Sequence, residues 1–150
     1  MQIANVLNRE MVKLGVESST KEELFEEMVQ LFVEHGLIPD REAAVKALIE
    51  REAKMSTGIA PGFALPHGKL EGIHGVVMAL GVLQEGMDFE SLDDEPVRVV
   101  LVLFSEAGNP GPHIEALSEI GRLLQVPGFI RKIQNAKSTD EVLEIIRAEE

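Results

Sequence analysis

VRVVLVLF, residues 97–104, is the stretch on which the fold turns. Apart from Arg98 it is continuously apolar and rich in β-branched side chains. Its length suits a strand better than a helix, and a run without polar alternation reads as a strand buried on both faces. VVMALGVL, residues 76–83, reads the same way. Gly86-Met87-Asp88-Phe89 and Leu92-Asp93-Asp94-Glu95-Pro96 read as the loop between them. Two successive strands joined so directly can run antiparallel, which predicts a mixed sheet.

Helical patterns flank these strands on both sides in the sequence. Thr20-Lys21-Glu22-Glu23 has the form of a capping box. Leu24, Phe25, Met28, Leu31 and Phe32 then recur at helical spacing until Gly36. Asp40 can cap a second helix through about Ala53, with Val45, Leu48 and Ile49 apolar and Arg51 near its C-terminal end. Gly58 to Leu65 is short and glycine-rich, with strand character towards its end. Pro112 opens a further helix, since proline is well suited to the first turn, where its missing N–H has no partner. Ile114, Leu117, Ile120 and Leu124 would form its buried stripe. A short helix follows within Pro127 to Ala136, and Ser138-Thr139-Asp140-Glu141 caps a last one carrying Val142, Leu143, Ile145 and Ile146. The expectation is an α/β fold: a single domain over residues 1–150, with a mixed β-sheet flanked by α-helices on both faces.

Composition narrows the function. With no Cys there is no thiol nucleophile, disulfide or thiolate metal site. No signal-peptide pattern or bilayer-length apolar run is visible, so a cytoplasmic protein without membrane insertion is expected. The 26 acidic and 14 basic residues leave a net charge of −12, which disfavours nucleic acid and suits an electropositive protein partner, or simply a solvated surface. P-loop, Gly-x-Ser-x-Gly and His-Glu-x-x-His patterns are absent, so neither a cofactor nor a metal is expected.

The histidines carry what chemistry remains. His35 falls in the last turn of a helix, where it can serve the terminal carbonyls, and His74 reads as a loop residue between glycines. His67 is set differently, in Ala64-Leu65-Pro66-His67-Gly68. Pro66 stiffens the approach and holds Leu65 extended, while Gly68 can turn freely. The pattern suits a side chain presented at a strand end, or an ordinary loop histidine. His113 follows Pro112 at a helix start, where first-turn amides favour anions. It is either a donor to bound phosphate or a structural helix-start residue.

Arg51-Glu52, Ser56-Thr57-Gly58-Ile59, the Pro66-His67 pair, Gly86-Met87-Asp88-Phe89, Asp94-Glu95-Pro96-Val97 and His113-Ile114-Glu115-Ala116-Leu117 follow one another in an order that resembles a known family. This is the enzyme IIA domain of the fructose–mannitol class in the bacterial phosphoenolpyruvate-dependent sugar phosphotransferase system, including its nitrogen-regulatory relatives. The resemblance spans nearly the whole sequence. It departs at Ala60-Pro61-Gly62, where the family usually has Gly-x-Gly, and at Phe63, a place commonly small or aliphatic.

The resemblance implies a phosphotransferase component with a phosphohistidine at His67. The donor would be the carrier protein HPr and the acceptor an enzyme IIB component. It implies that His113 supports the phosphoryl group or the His67 ring and that Arg51 helps to hold the charge. Backbone amides of the Thr57–Gly62 loop, at Thr57, Gly58 and Gly62, could add donors. No linker or fused membrane segment follows the last helix, as expected of a free-standing domain. A regulator that controls protein partners through its phosphorylation state is the alternative role.

Overall fold

The computed structural model describes residues 1–150. Its elements are α1 (Ile3–Val6), a 3-10 turn (Arg9–Met11), β1 (Val12–Lys13), α2 (Lys21–Glu34), α3 (Arg41–Lys54), β2 (Phe63–Ala64), β3 (His67–Leu70), β4 (Val76–Met87), β5 (Val97–Glu106), α4 (Pro110–Leu124), α5 (Phe129–Gln134) and α6 (Thr139–Glu149). The two apolar runs are the central strands, as their patterning predicts. They pair antiparallel, with Leu80 opposite Leu101, while β1 runs parallel to β4 and both β2 and β3 run parallel to β5. The sheet is therefore mixed, with five strands.

β2 and β3 are one edge strand interrupted once. Phe63 aligns with Val99 and His67 with Leu103, the same offset on either side of the gap. Pro66 has no N–H to give the ladder, and proline is tolerated only at such an edge. Its carbonyl still accepts from Leu103 N at 3.0 Å, while Leu65 N turns away to the Thr57 carbonyl at 2.9 Å. Pro66 thus breaks the strand without shifting its register.

Helices cover both faces. Phe63, Leu80, Val99 and Leu101 meet Ile3 of α1, Ile120 and Leu123 of α4, Ile133 of α5 and Ile146 of α6 on one face. On the other, Phe104 packs edge-to-face on Phe32 of α2 at 5.3 Å between centroids, a geometry aromatic rings favour. Buried apolar side chains from all these elements form one continuous core. The caps follow the sequence: Thr20, Asp40 and Ser138 side chains accept from the amides of Glu23, Ala43 and Glu141.

Several expectations are corrected. α4 begins at Pro110, two residues before Pro112, because the first turn also tolerates Pro110. Its buried face is Ala116, Ile120 and Leu123, whereas Ile114 is 62% exposed. β4 continues through Met87, taking in part of the expected loop, with a register shift between Val82 and Met87. His67-Gly68-Lys69-Leu70 is a strand rather than a loop. α1 and β1 have no periodic signal of their own, and their partners elsewhere in the sequence define them.

Candidate functional site

His67 opens β3 at the position where the edge strand resumes after Pro66. Side chains alternate across a strand, so His67 and Gly68 face opposite sides of the sheet. Gly68 faces α3. A Cβ there would stand 3.0 Å from Ala47 Cβ, so the residue is small to admit the helix. Gly68 therefore does not turn the backbone, contrary to the expectation from its place after Pro66-His67. Close packing by α3 is a tertiary fact.

The opposite side of β3 brings His67 to α4. The His67 and His113 rings lie 5.8 Å apart between centroids, with planes inclined by 43°. His67 Nδ1 is 2.9 Å from the Leu65 carbonyl. A carbonyl only accepts, so Nδ1 carries the proton and Nε2 the free lone pair. Burial pushes the His67 pKa down, the Leu65 carbonyl opposes this, and the Arg51 charge adds to the lowering. The ring is accordingly mostly neutral at pH 7.

His113 sits in the first turns of α4, its Nδ1 buried and without a hydrogen-bond partner. Burial lowers its pKa first; His67, when protonated, and the Lys69 charge add to the effect. The helix start itself is a poorer anion site than its place suggests. Pro110 and Pro112 remove two of the four amide donors that a helix N-terminus normally leaves free. Donor capacity there falls more heavily on the imidazole.

Arg51 lies in the last turn of α3 and donates from Nη1 to the Met55 carbonyl at 2.9 Å. It is close enough for its charge to act on His67, and its exposed side has a guanidinium to offer. The expected amide cradle is not assembled. Thr57 N donates to Glu52 Oε2 at 3.0 Å and Gly58 N to Ser56 Oγ at 3.2 Å. Gly62 lies at the far end of the edge strand, its carbonyl accepting from Arg98 and Val99. His67 pairs four residues farther along β5 than Val99, about 13 Å at the strand rise. Ala60-Pro61-Gly62-Phe63 closes on itself instead, with Phe63 N on the Ala60 carbonyl at 3.0 Å and Gly62 at φ 73°. That is the pattern of a type II turn, which favours Pro then Gly at its centre. Phe63 is buried in the core.

Two residues near the site have no role legible in the sequence. Lys69 follows His67 by two on β3, the period that places both on one face. Glu52 is nearly buried, its side chain 7% exposed. Its carboxylate accepts from Thr57 N, from Thr57 Oγ1 at 2.6 Å and from Lys21 Nζ at 2.9 Å. The Arg51-Glu52 pair is legible as a motif, but a carboxylate beside an arginine reads as a surface pair until the fold buries it.

No helix is long and apolar enough to cross a membrane, and no three metal-ligating side chains of the His, Asp and Glu types converge.

Residues 5–149 match the family described as "Phosphoenolpyruvate-dependent sugar phosphotransferase system, EIIA 2". The protein is 35% identical over 146 residues to the "PTS system fructose-specific EIIABC component" of Bacillus subtilis (strain 168), a match that takes in 97% of this sequence and only 23% of that one. It is 30% identical over 144 residues to the "PTS system fructose-specific EIIA component" of Haloferax volcanii, a match over 96% of this sequence and 94% of the relative. Its fold superposes on the crystal structure of nitrogen regulatory protein IIA-Ntr from Neisseria meningitidis with a TM-score of 0.88 at 27% identity, over 96% of this protein and 98% of that one. With a neutral, tautomer-fixed histidine at the edge of a mixed sheet and a family match over almost its whole length, the protein belongs to the EIIA 2 family of the phosphoenolpyruvate-dependent sugar phosphotransferase system.

Proposed function

We propose that this protein is a phosphocarrier that takes a phosphoryl group from phospho-HPr on Nε2 of His67 and passes it to an enzyme IIB component for sugar uptake. The observation that carries the reading is the His67 Nδ1 to Leu65 carbonyl bond, which leaves Nε2 as the nucleophile. The lone pair of Nε2 attacks phosphorus, the donor's P–N bond breaks, and its electron pair returns to the donor ring. The proton on Nδ1 stays in place throughout, so no base is required. Onward transfer to IIB reverses the roles.

Such a transfer needs alignment and charge stabilisation more than covalent machinery. The His113 ring lies 5.8 Å from that of His67 and is placed to donate to the phosphoryl oxygens from a ring N–H. Arg51 leaves the Met55 carbonyl to add its charge. Burial keeps both imidazoles neutral before the group arrives. The net charge of −12 attracts a basic carrier surface. The Bacillus subtilis relative is named an EIIABC component, and that union of IIA with IIB in one protein supports a IIB acceptor here.

A second reading, a regulator whose phosphorylation state selects protein partners, is favoured by the likeness to the nitrogen regulatory structure. Both readings require phosphorylated His67. Incubation with phosphoenolpyruvate, enzyme I and HPr is expected to add one acid-labile, base-stable phosphate, lost in a folded His67→Ala variant. Full labelling of that variant overturns the assignment. Decay of the phosphorylated protein with membranes and candidate sugars separates the roles: drainage by a sugar supports transport. No drainage, with state-dependent capture of soluble proteins, supports regulation.

A further inference from the structure

We propose that Glu52 and Thr57 are positioning residues that hold the His67 tautomer through a continuous hydrogen-bond relay. The inference rests on His67 as the phosphoryl acceptor. Lys21 Nζ donates to Glu52 Oε2 at 2.9 Å, and Glu52 accepts from both Thr57 N and Thr57 Oγ1. The Thr57 carbonyl then accepts from Leu65 N at 2.9 Å, and the Leu65 carbonyl accepts from His67 Nδ1 at 2.9 Å. The relay crosses from α2 through α3 to the edge strand, and ends on the atom that decides which ring nitrogen is free.

Leu65 needs this support. Leu65 lies on an edge strand with its N–H turned away from β5, so no ladder bond is open to it and its partner is the Thr57 carbonyl. Thr57 in turn is 1% exposed and cannot use water. Its loop is locked from the other side as well. Ser56 Oγ donates to the Phe89 carbonyl at 2.9 Å, and a Cβ on Gly58 would collide with the Ser91 side chain. Lys21 joins the two sides, pairing with Glu52 and lying 4.6 Å over the Phe89 ring. A carbonyl held this firmly orients the imidazole before the donor arrives, as a buried acid orients a catalytic histidine elsewhere.

The relay also has a charge. On phosphoryl transfer to Nε2, the ring that keeps its Nδ1 proton becomes cationic. Burial and Arg51 lower the His67 pKa, and the Glu52 carboxylate opposes them. It favours the cationic phosphorylated ring in the same way. Glu52 therefore acts on the reaction through Thr57, Leu65 and its field, without touching the phosphoryl group.

The test reads the ring nitrogens of His67 by long-range ¹H–¹⁵N NMR in wild type, Glu52→Gln, Thr57→Val and Thr57→Ser, alongside single-turnover transfer from phospho-HPr. Wild type is expected to show one pyridine-type nitrogen, at Nε2. Folded Glu52→Gln and Thr57→Val are expected to show exchange between tautomers and to transfer about ten- to a hundred-fold more slowly at saturating donor, with KM unmoved. Thr57→Ser, which keeps the hydroxyl, is expected to recover the single Nε2 signal. If Glu52→Gln does not fold, Glu52→Asp draws the carboxylate back by one methylene and must disturb the same signals. Wild-type nitrogen signals and rates in the folded variants overturn the relay. A wild-type protein that phospho-HPr leaves unlabelled overturns the phosphocarrier reading instead, and the NMR signals then decide the relay alone.

Discussion

His67 and His113, from an edge strand and a helix start 46 residues apart in the sequence, present their rings to each other at 5.8 Å. The pair sits where β3 and α4 meet. His67 is oriented by its own strand, whereas His113 Nδ1 is left without a protein partner. In the phosphocarrier reading proposed above, the first ring is the one held for attack and the second serves what the first receives.

His113→Ala is therefore expected to slow phosphoryl transfer far more than it harms folding. Loss of one positioned donor costs about 2.7–4 kcal/mol of transition-state stabilisation, or roughly a hundred- to a thousand-fold in rate. Quench-flow transfer from phospho-HPr and on to IIB measures it, with a thermal melt as control. An unchanged rate returns His113 to a structural role.

The half-buried imidazoles predict a pH dependence with a definite sign. Both have pKa values below the ordinary value of about 6.5. The unfolded state therefore binds protons that the folded one refuses. The stability linked to these groups is fully present above about pH 6.5 and is lost as pH falls through the folded pKa values. Acceptance of phosphate should persist below about pH 6.5, where a free imidazole is already mostly protonated. A half-maximal rate at or above that pH in single turnovers would contradict the lowered pKa values of the pair.

Gly68→Ala is expected to destabilise by about 1–3 kcal/mol, because its methyl meets Ala47 Cβ. The same strain displaces β3 and with it His67. Adding Ala47→Gly makes room, so the double variant should be more stable than the sum of the two single changes. Urea titrations of the four proteins read the coupling directly, and strict additivity would mean that α3 does not press on this strand.

Ile114 is 62% exposed immediately after His113. An apolar side chain kept out of the core beside the proposed transfer site fits partner contact. Ile114→Ser is expected to alter stability by less than about 0.5 kcal/mol. It should raise KM for phospho-HPr by an amount equivalent to about 1 kcal/mol or more. Steady-state transfer assays at several donor concentrations separate this from an effect on kcat.

Much of this is legible in the sequence. Val76–Leu83 and Val97–Phe104 announce buried strands because a strand covered on both faces has no reason to alternate. The caps at Thr20, Asp40 and Ser138 are local chemistry, so local sequence shows them. The order of Arg51, Pro66-His67 and His113 carries the family resemblance, and Pro66 marks His67 as unlike the other histidines. Tertiary structure alone decides the rest, since it depends on what lies across the fold. Gly68 looks like a turn because nothing nearby in sequence reveals Ala47. Ile114 looks buried because helical spacing shows a stripe without saying which side meets the sheet. Thr57 looks like an amide donor for phosphate, and only the fold brings Glu52 to claim that amide. The free ring nitrogen of His67 is likewise set across the fold, by a Leu65 carbonyl whose own residue is hydrogen-bonded to Thr57, and through Thr57 to Glu52 and Lys21. A sequence displays periodicity, caps and breaks because these act between neighbours; close approach and burial act between residues that only folding makes neighbours.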